Sequence, residues 1–259
     1  LTDRFRTAAR LAVGHVLEKE QRILSGADPA IKIYIKGDSA GASGDVRDVV
    51  IVTKSREIGV SCKTNHEAFK HPRLSKKINW VAKWGLSPIG CSHAYKSVTN
   101  PVFDELGAIR AGSKGKKLFT ELEDLHGNYY RPVLEAFETE LRRLSDDEIA
   151  GPELGARLAK YIIGNTDFYK VIVRSDQVQV LAFNFNGTLS VPKSKLPSRL
   201  QAIDKYEGSI NSVNVRMDRG YSLNFRLHSA KSTVEPSFKF DVTAVSLPPS
   251  EIYQNHMLL

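Results

Sequence analysis

Asp48, Ser61 and Lys63 are the residues whose types and spacing could do chemistry together. Residues 49–53 (VVIVT) and 58–63 (IGVSCK) are short apolar runs joined by a polar link at 54–57, the pattern of an antiparallel hairpin. A tight turn there sets Asp48 opposite Ser61 or Lys63, and directly opposed residues share a face with Cβ atoms about 5 Å apart. Ser61 and Lys63 also share a face with each other, while Cys62 points the other way with Val60 and Ile58, as a packed core thiol. A carboxylate beside an ammonium can be a plain ion pair. It is also the kit that phosphodiester hydrolysis needs: a carboxylate to hold Mg²⁺, and a lysine to orient water or offset charge on the phosphorane. A single aspartate is thin for that task, so a second acid is expected.

The surroundings favour a polyanionic partner. Residues 54–83 carry eight basic side chains (54, 56, 63, 70, 73, 76, 77 and 83) against two acids (57 and 67). The whole chain of 259 residues has 37 Lys and Arg against 29 Asp and Glu, a formal charge of +8, a modest pointer to nucleic acid. Only two cysteines occur, Cys62 and Cys91, too few for a disulfide framework or a thiolate zinc site. A reducing compartment, the cytoplasm, is expected. No apolar run is long enough to span a bilayer, and no secretory signal is visible.

The elements that must position the hairpin follow from periodicity. Residues 4–24 read as an amphipathic helix with Val13, Val16, Leu17 and Leu24 on one stripe and Glu20 inside it; an acid on a buried face needs a partner. Residues 31–36 (IKIYIK) alternate as a strand, and 37–44 read as a loop. A helix is expected over 74–84, ended by Gly85, then a short strand over 86–92. Asn100-Pro101 looks like a cap and first-turn proline. Helices are expected over 102–110, 117–125, 130–144 and 152–163. Residues 169–174 and 178–185 read as a hairpin across Ser175-Asp176, and 194–206 has no clear pattern. Three strands follow, 213–217, 221–227 and 238–245, the first two joined by Asp218-Arg219-Gly220. No internal repeat or low-complexity tract is present. The expected class is α/β (α+β): a mixed sheet flanked by helices in residues 1–100, with the catalytic hairpin at 45–63, a helical insertion over 101–165 and a strand-rich region over 166–259 packed on the core.

A strand ending near an aspartate, a hairpin, and a second strand ending in a lysine resemble the PD-(D/E)xK nuclease fold. More closely, EIGVSCKTNHEAFKHPRLS (57–75) and SLNFRLHSAKSTVEPSFKFDV (222–242) resemble the HaeIII-type family of Type II restriction endonucleases. The resemblance implies Mg²⁺-dependent double-strand cleavage of DNA at a short palindrome, GGCC in the family's namesake. Ser61 stands where the general pattern has an acid. Glu57 is no substitute, lying six residues from Lys63, about 20 Å along an extended strand. Some nucleases of this fold recruit the acid from a helix, which promotes Glu20 as the second metal ligand beside Asp48. Glu67 is the runner-up and Asp45 a third option. His66 and His71 flank Glu67 but make no HExxH-type site, and Pro72 argues against one helix through both; a structural or phosphate-contact role is expected for them.

DNA contacts are expected from two places. Lys70, Arg73, Lys76 and Lys77 are candidates for the DNA backbone, a solvated basic face being the alternative. Asn214, Arg216, Arg219, Asn224, Arg226, His228 and Lys231 cluster in the strand-rich end, where Ser222, Asn224, Arg226 and His228 alternate with Leu223, Phe225 and Leu227. One polar and one packed face suits a ribbon entering a groove, where Arg and Lys read guanine and Asn reads adenine. A palindromic target is matched by two-fold symmetry, so a homodimer is the default. A DNA-binding protein on a catalytically degenerate nuclease scaffold, motivated by Ser61, and a repair nuclease of the same fold are the alternatives.

Overall fold

The computed structural model describes residues 2–23, 31–37, 45–54, 56–65, 67–205, 208–249 and 252–258. Leu24, His66 and most of the expected 37–44 loop lie outside them. The chain forms two compact units: residues 1–67, 163–196 and 247–259, and residues 68–162 with 197–246. Each unit is therefore assembled from separated stretches of sequence.

The first unit is a six-stranded sheet with a helix on one face. Its elements are α1 (Thr2–Lys19), β1 (Lys32–Ile35), β2 (Val49–Val52) and β3 (Glu57–Thr64), followed after residue 163 by β5 (Phe168–Val173), β6 (Gln177–Phe183) and β11 (Tyr253–Leu258). The strand order is β1-β2-β3-β5-β6-β11. Every pairing is antiparallel except β3 with β5, and a parallel pair needs a long crossover, here residues 65–167. The helix packs on the sheet through Ala8, Ala12, Val16 and the following turn residue Ile23, against Ile58, Tyr169, Val171, Val178, Val180 and Ala182. Val13, expected on the stripe, is instead exposed; the buried line runs through the small Ala8 and Ala12, which let the helix approach the sheet closely. The expected strand at 31–36 is present, but as an edge strand it is exposed on both faces.

The second unit packs helices on a five-stranded sheet. Its elements are β4 (Arg73–Leu74), α2 (Trp80–Lys83), α3 (His93–Gly112), α4 (Arg131–Asp146), α5 (Gly151–Ile163, whose last residue falls in the first unit), β7 (Leu200–Lys205), β8 (Ser212–Met217), β9 (Ser222–His228) and β10 (Phe238–Ser246), in strand order β4-β10-β9-β8-β7. Phe137 of α4 stacks within 4.6 Å of Phe240, 5.5 Å of Phe225 and 5.0 Å of Trp80, so one face of the sheet is buried under helices. Fully burying such a ring stabilises by about 1.5–3 kcal/mol.

Several expected boundaries move. The helix expected to start at Asn100-Pro101 begins at His93, because Ser92 caps it by accepting from the Tyr95 amide, and Pro101 sits inside it. No strand forms over 86–92. The 74–84 helix shrinks to Trp80–Lys83 since Arg73 and Leu74 pair with Lys239 and Phe238. Residues 117–125 hold one short turn, Phe119–Glu121, before a π-helical segment at Leu125–Tyr130.

Candidate active site

The hairpin register pairs Val49 with Val60 and Ile51 with Ile58, which carries Asp48, at the mouth of β2, opposite Ser61. Three contacts with described residues converge on one oxygen, Asp48 Oδ2. Ser61 Oγ donates to it at 3.1 Å, the Cys62 amide donates at 2.6 Å, and Lys63 Nζ lies 3.8 Å away. The carboxylate remains 45% exposed and the Lys63 side chain 31% exposed, so the pair is anchored on a strand end yet open to a ligand. Ser61, by contrast, is buried. Its hydroxyl donates where a carboxylate would have set two negative charges against each other.

Strand alternation decides what else can reach this face. Val60 and Tyr169 pack on the α1 side, so Ser61, Lys63 and Lys170 project from the other side; Lys170 is the register partner of Ser61 on the parallel neighbour β5. Cys62 shares the α1 side as expected but is exposed there, not packed in the core. Gly59 is required on the active face: a Cβ there would sit 2.0 Å from Cδ of Arg47, which crosses the strand at that point.

The candidate second acids are all committed elsewhere. Glu20 is 1% exposed and accepts from Tyr169 Oη at 2.8 Å, the Ser190 amide at 2.8 Å and Ser190 Oγ at 2.7 Å, with Arg56 at 3.9 Å. Bonded to Tyr169, it lies on the α1 side, so the structure does not bring it to Asp48. The acid inside the apolar stripe is satisfied by structural partners, which a periodicity argument cannot foresee. Asp45 is gripped by Arg47 through Nε at 2.7 Å and Nη2 at 2.9 Å. That hydrogen bonding, against the cost of burial, holds its carboxyl below the usual range. Arg47 also binds Glu57. The Glu67 carboxylate pairs with Arg174. Among the described residues, no group of three His, Cys, Asp or Glu side chains is placed to hold a metal.

The family model for the HaeIII restriction endonuclease matches residues 1–248. A curated relative, the Type II restriction enzyme HaeIII of Haemophilus aegyptius, is 31% identical over 261 aligned positions, covering 95% of this chain and 80% of the relative. The chain belongs to the HaeIII restriction endonuclease family. It is accordingly a restriction endonuclease, a site-specific deoxyribonuclease whose substrate is DNA. No helix among the described residues is long and apolar enough to cross a membrane.

In this family member the expected DNA-contact residues fall into two groups. Of the basic segment, Lys70 is half-buried: Nζ donates to the Tyr161 carbonyl at 3.1 Å and lies 3.8 Å from the Tyr161 ring centroid, and burial pushes its amine down. It is a structural lysine in this structure. Lys76 pairs with Asp104 at 2.6 Å, Arg73 lies 3.6 Å from Glu235, and Lys77 is exposed. Lys231 pairs with Glu235 at 3.0 Å, and Arg219, in the β8–β9 turn, takes a left-handed conformation at φ 61°.

The remaining residues form a polar sheet face. Register places Asn214 beside Asn224, Arg216 beside Ser222, and Arg226 beside Asp241. Asp204 holds Arg216 through Nε at 3.0 Å and Nη2 at 2.9 Å. Asp241, which sequence reasoning missed, is a hub: His71 Nδ1 lies at 2.5 Å, Arg226 Nη2 at 2.7 Å and His228 Nε2 at 3.0 Å. Burial opposes its ionisation, but the contacts with Arg226 and His228 outweigh it and hold the carboxyl far below the usual range. The lone acid in the FKFDV run was the available signal. A depressed carboxyl contributes stability that is present at neutral pH and lost as pH falls below its unfolded value. Asp241→Asn is therefore expected to cost about 2 kcal/mol in urea unfolding at pH 7, with the gap from wild type narrowing below about pH 4.

Proposed function

We propose that the chain cleaves double-stranded DNA at a short palindrome, GGCC by likeness to the family's namesake, using Mg²⁺ at Asp48. The observation that carries this reading is the convergence of Ser61 Oγ, the Cys62 amide and Lys63 Nζ on Asp48 Oδ2 at a solvent-reaching strand end. Of these groups only the Asp48 carboxylate can ligate a cation, which would fit Mg²⁺ held by one carboxylate together with the substrate phosphate and water, and does not resemble an all-protein cage. When bound, Mg²⁺ supplies Lewis-acid polarisation of the scissile phosphate. The chain's own groups do the rest. Ser61 and the Cys62 amide fix the Asp48 carboxylate in one orientation. Lys63 presents an ammonium to the attacking water or to the charge that grows on the phosphate.

Cutting is assigned to the unit that holds the hairpin, within the 1–100 stretch, and reading to the polar face of β8–β10, within the 166–259 stretch, where Asp204 and Asp241 pre-orient Arg216 and Arg226. Lys77 and Arg73 suit phosphate contact. A homodimer matches a two-fold target, and the cytoplasm suits two unbridged cysteines.

The test is digestion of plasmid DNA with Mg²⁺, where discrete fragments ending at one short site are expected. Sequence-selective binding without cutting in any divalent metal would instead favour the degenerate scaffold. Cutting confined to damaged or branched DNA would favour a repair nuclease.

A further inference from the structure

Lys170 faces the site from outside the hairpin. It interrupts an otherwise apolar strand, FYKVIV, and is 2% exposed. Its register partner is Ser61, and it projects from the same sheet face as Asp48, Ser61 and Lys63. Its Nζ donates to the Glu67 carbonyl at 2.7 Å, four residues past Lys63, while Arg174, just beyond the end of β5, takes the Glu67 carboxylate. These two cations thus hold both the main chain and the side chain of the segment into which β3 runs. That segment turns through Asn65 at φ 50°, with the Asn65 amide donating to the Val173 carbonyl at 2.9 Å.

We infer that Lys170 is a positioning residue of the cleavage site, an ammonium buried behind Lys63 that fixes the exit of β3 and so sets where the Lys63 side chain stands. The cost of keeping it there is visible. Burial first, then the charge of Lys63, push the Lys170 amine down to about 7, with Glu67 opposing. A methionine of similar length would fill the same apolar space without removing a charge from water, so a purely structural demand would select against lysine. Lysine at this place is explained by the needs of the neighbouring site, at the expense of stability.

The inference rests on the reading of Asp48 and Lys63 as the cleavage site, and the experiment separates the two. Lys170→Met, Lys170→Gln and Lys63→Ala are compared with the full-length wild type. Melting temperature, duplex affinity in Ca²⁺ and single-turnover cleavage at saturating duplex in Mg²⁺ are measured. For Lys170→Met the melting temperature is expected to rise, the affinity to stay within about twofold, and the cleavage rate to fall about 10- to 100-fold, the usual range for a group that orients a site residue. Lys170→Gln, which can still donate to the Glu67 carbonyl, is expected to fall less. A Lys170→Met enzyme that melts higher and cuts at the wild-type rate overturns the inference. So does one whose loss of rate only follows its unfolded fraction or its loss of duplex affinity, because the lysine would then serve folding or binding alone. If Lys63→Ala cuts as fast as wild type, the reading of the cleavage site itself is wrong, whatever Lys170 does.

Discussion

Asp48→Asn and Lys63→Ala are each expected to slow DNA cleavage about a thousandfold under single-turnover conditions, with melting temperature little changed. A group at a reacting phosphate that supplies about 4 kcal/mol of transition-state stabilisation accounts for a factor of that size. Neither residue carries the fold: both side chains are substantially exposed, and they meet each other at 3.8 Å at the end of the hairpin. The two substitutions should differ in their metal response. With Asp48 holding the cation as proposed, Asp48→Asn should weaken that hold, so raising Mg²⁺ should recover part of its rate. Lys63→Ala should gain nothing from extra metal. A variant of either residue that cuts at the wild-type rate would remove that residue from the mechanism.

Glu20 gives the second large effect, of the opposite kind. Glu20→Ala removes a buried acceptor from the Ser190 amide, the Ser190 hydroxyl and Tyr169 Oη, with Arg56 close by. Leaving such groups without their acceptor costs about 1–3 kcal/mol each when nothing replaces it, and a total of about 4 kcal/mol is a large part of the stability of a domain of this kind. A drop in melting temperature of many degrees is expected, read by circular dichroism. The milder Glu20→Gln, assayed below its own melting temperature, should cut at close to the wild-type rate with an unchanged Mg²⁺ requirement. A Glu20→Gln enzyme that is fully folded yet needs far more Mg²⁺ would return Glu20 to the metal site.

The contrast between these residues marks what local sequence can convey. The hairpin was legible because the apolar run over 49–53, the alternation over 58–63 and the polar link between them point to both pairing and face. Asp48, Ser61 and Lys63 follow from that alone. Glu20 was legible as an unusual acid, but its partners, Tyr169 and Ser190, are 149 and 170 residues away, and nothing near Glu20 announces them. Lys170 was missed for the same reason, its meaning lying in a parallel strand pair far apart in sequence, and Asp241 because one of its partners, His71, is 170 residues away. The edge strand β11 and the true start of α3 were missed because a side-chain cap at Ser92 and pairing with β6 outweighed the local proline and polar signals.

The parallel pairing of β3 with β5 has a consequence in time. Gly59 meets Phe168 and Lys63 meets Ile172, so the strand bearing Lys63 has no permanent neighbour on that side until the whole crossover, residues 65–167, has been made. During synthesis, at a rate of about 5–20 residues per second, the β2–β3 hairpin waits for several seconds with one edge unpaired, and the residues that stiffen its exit, Lys170 and Arg174, arrive last. Long-range closure of this kind is slow for entropic reasons. For an enzyme that cuts DNA, it means that the nascent chain carries the residues proposed to cut well before it can hold them in place.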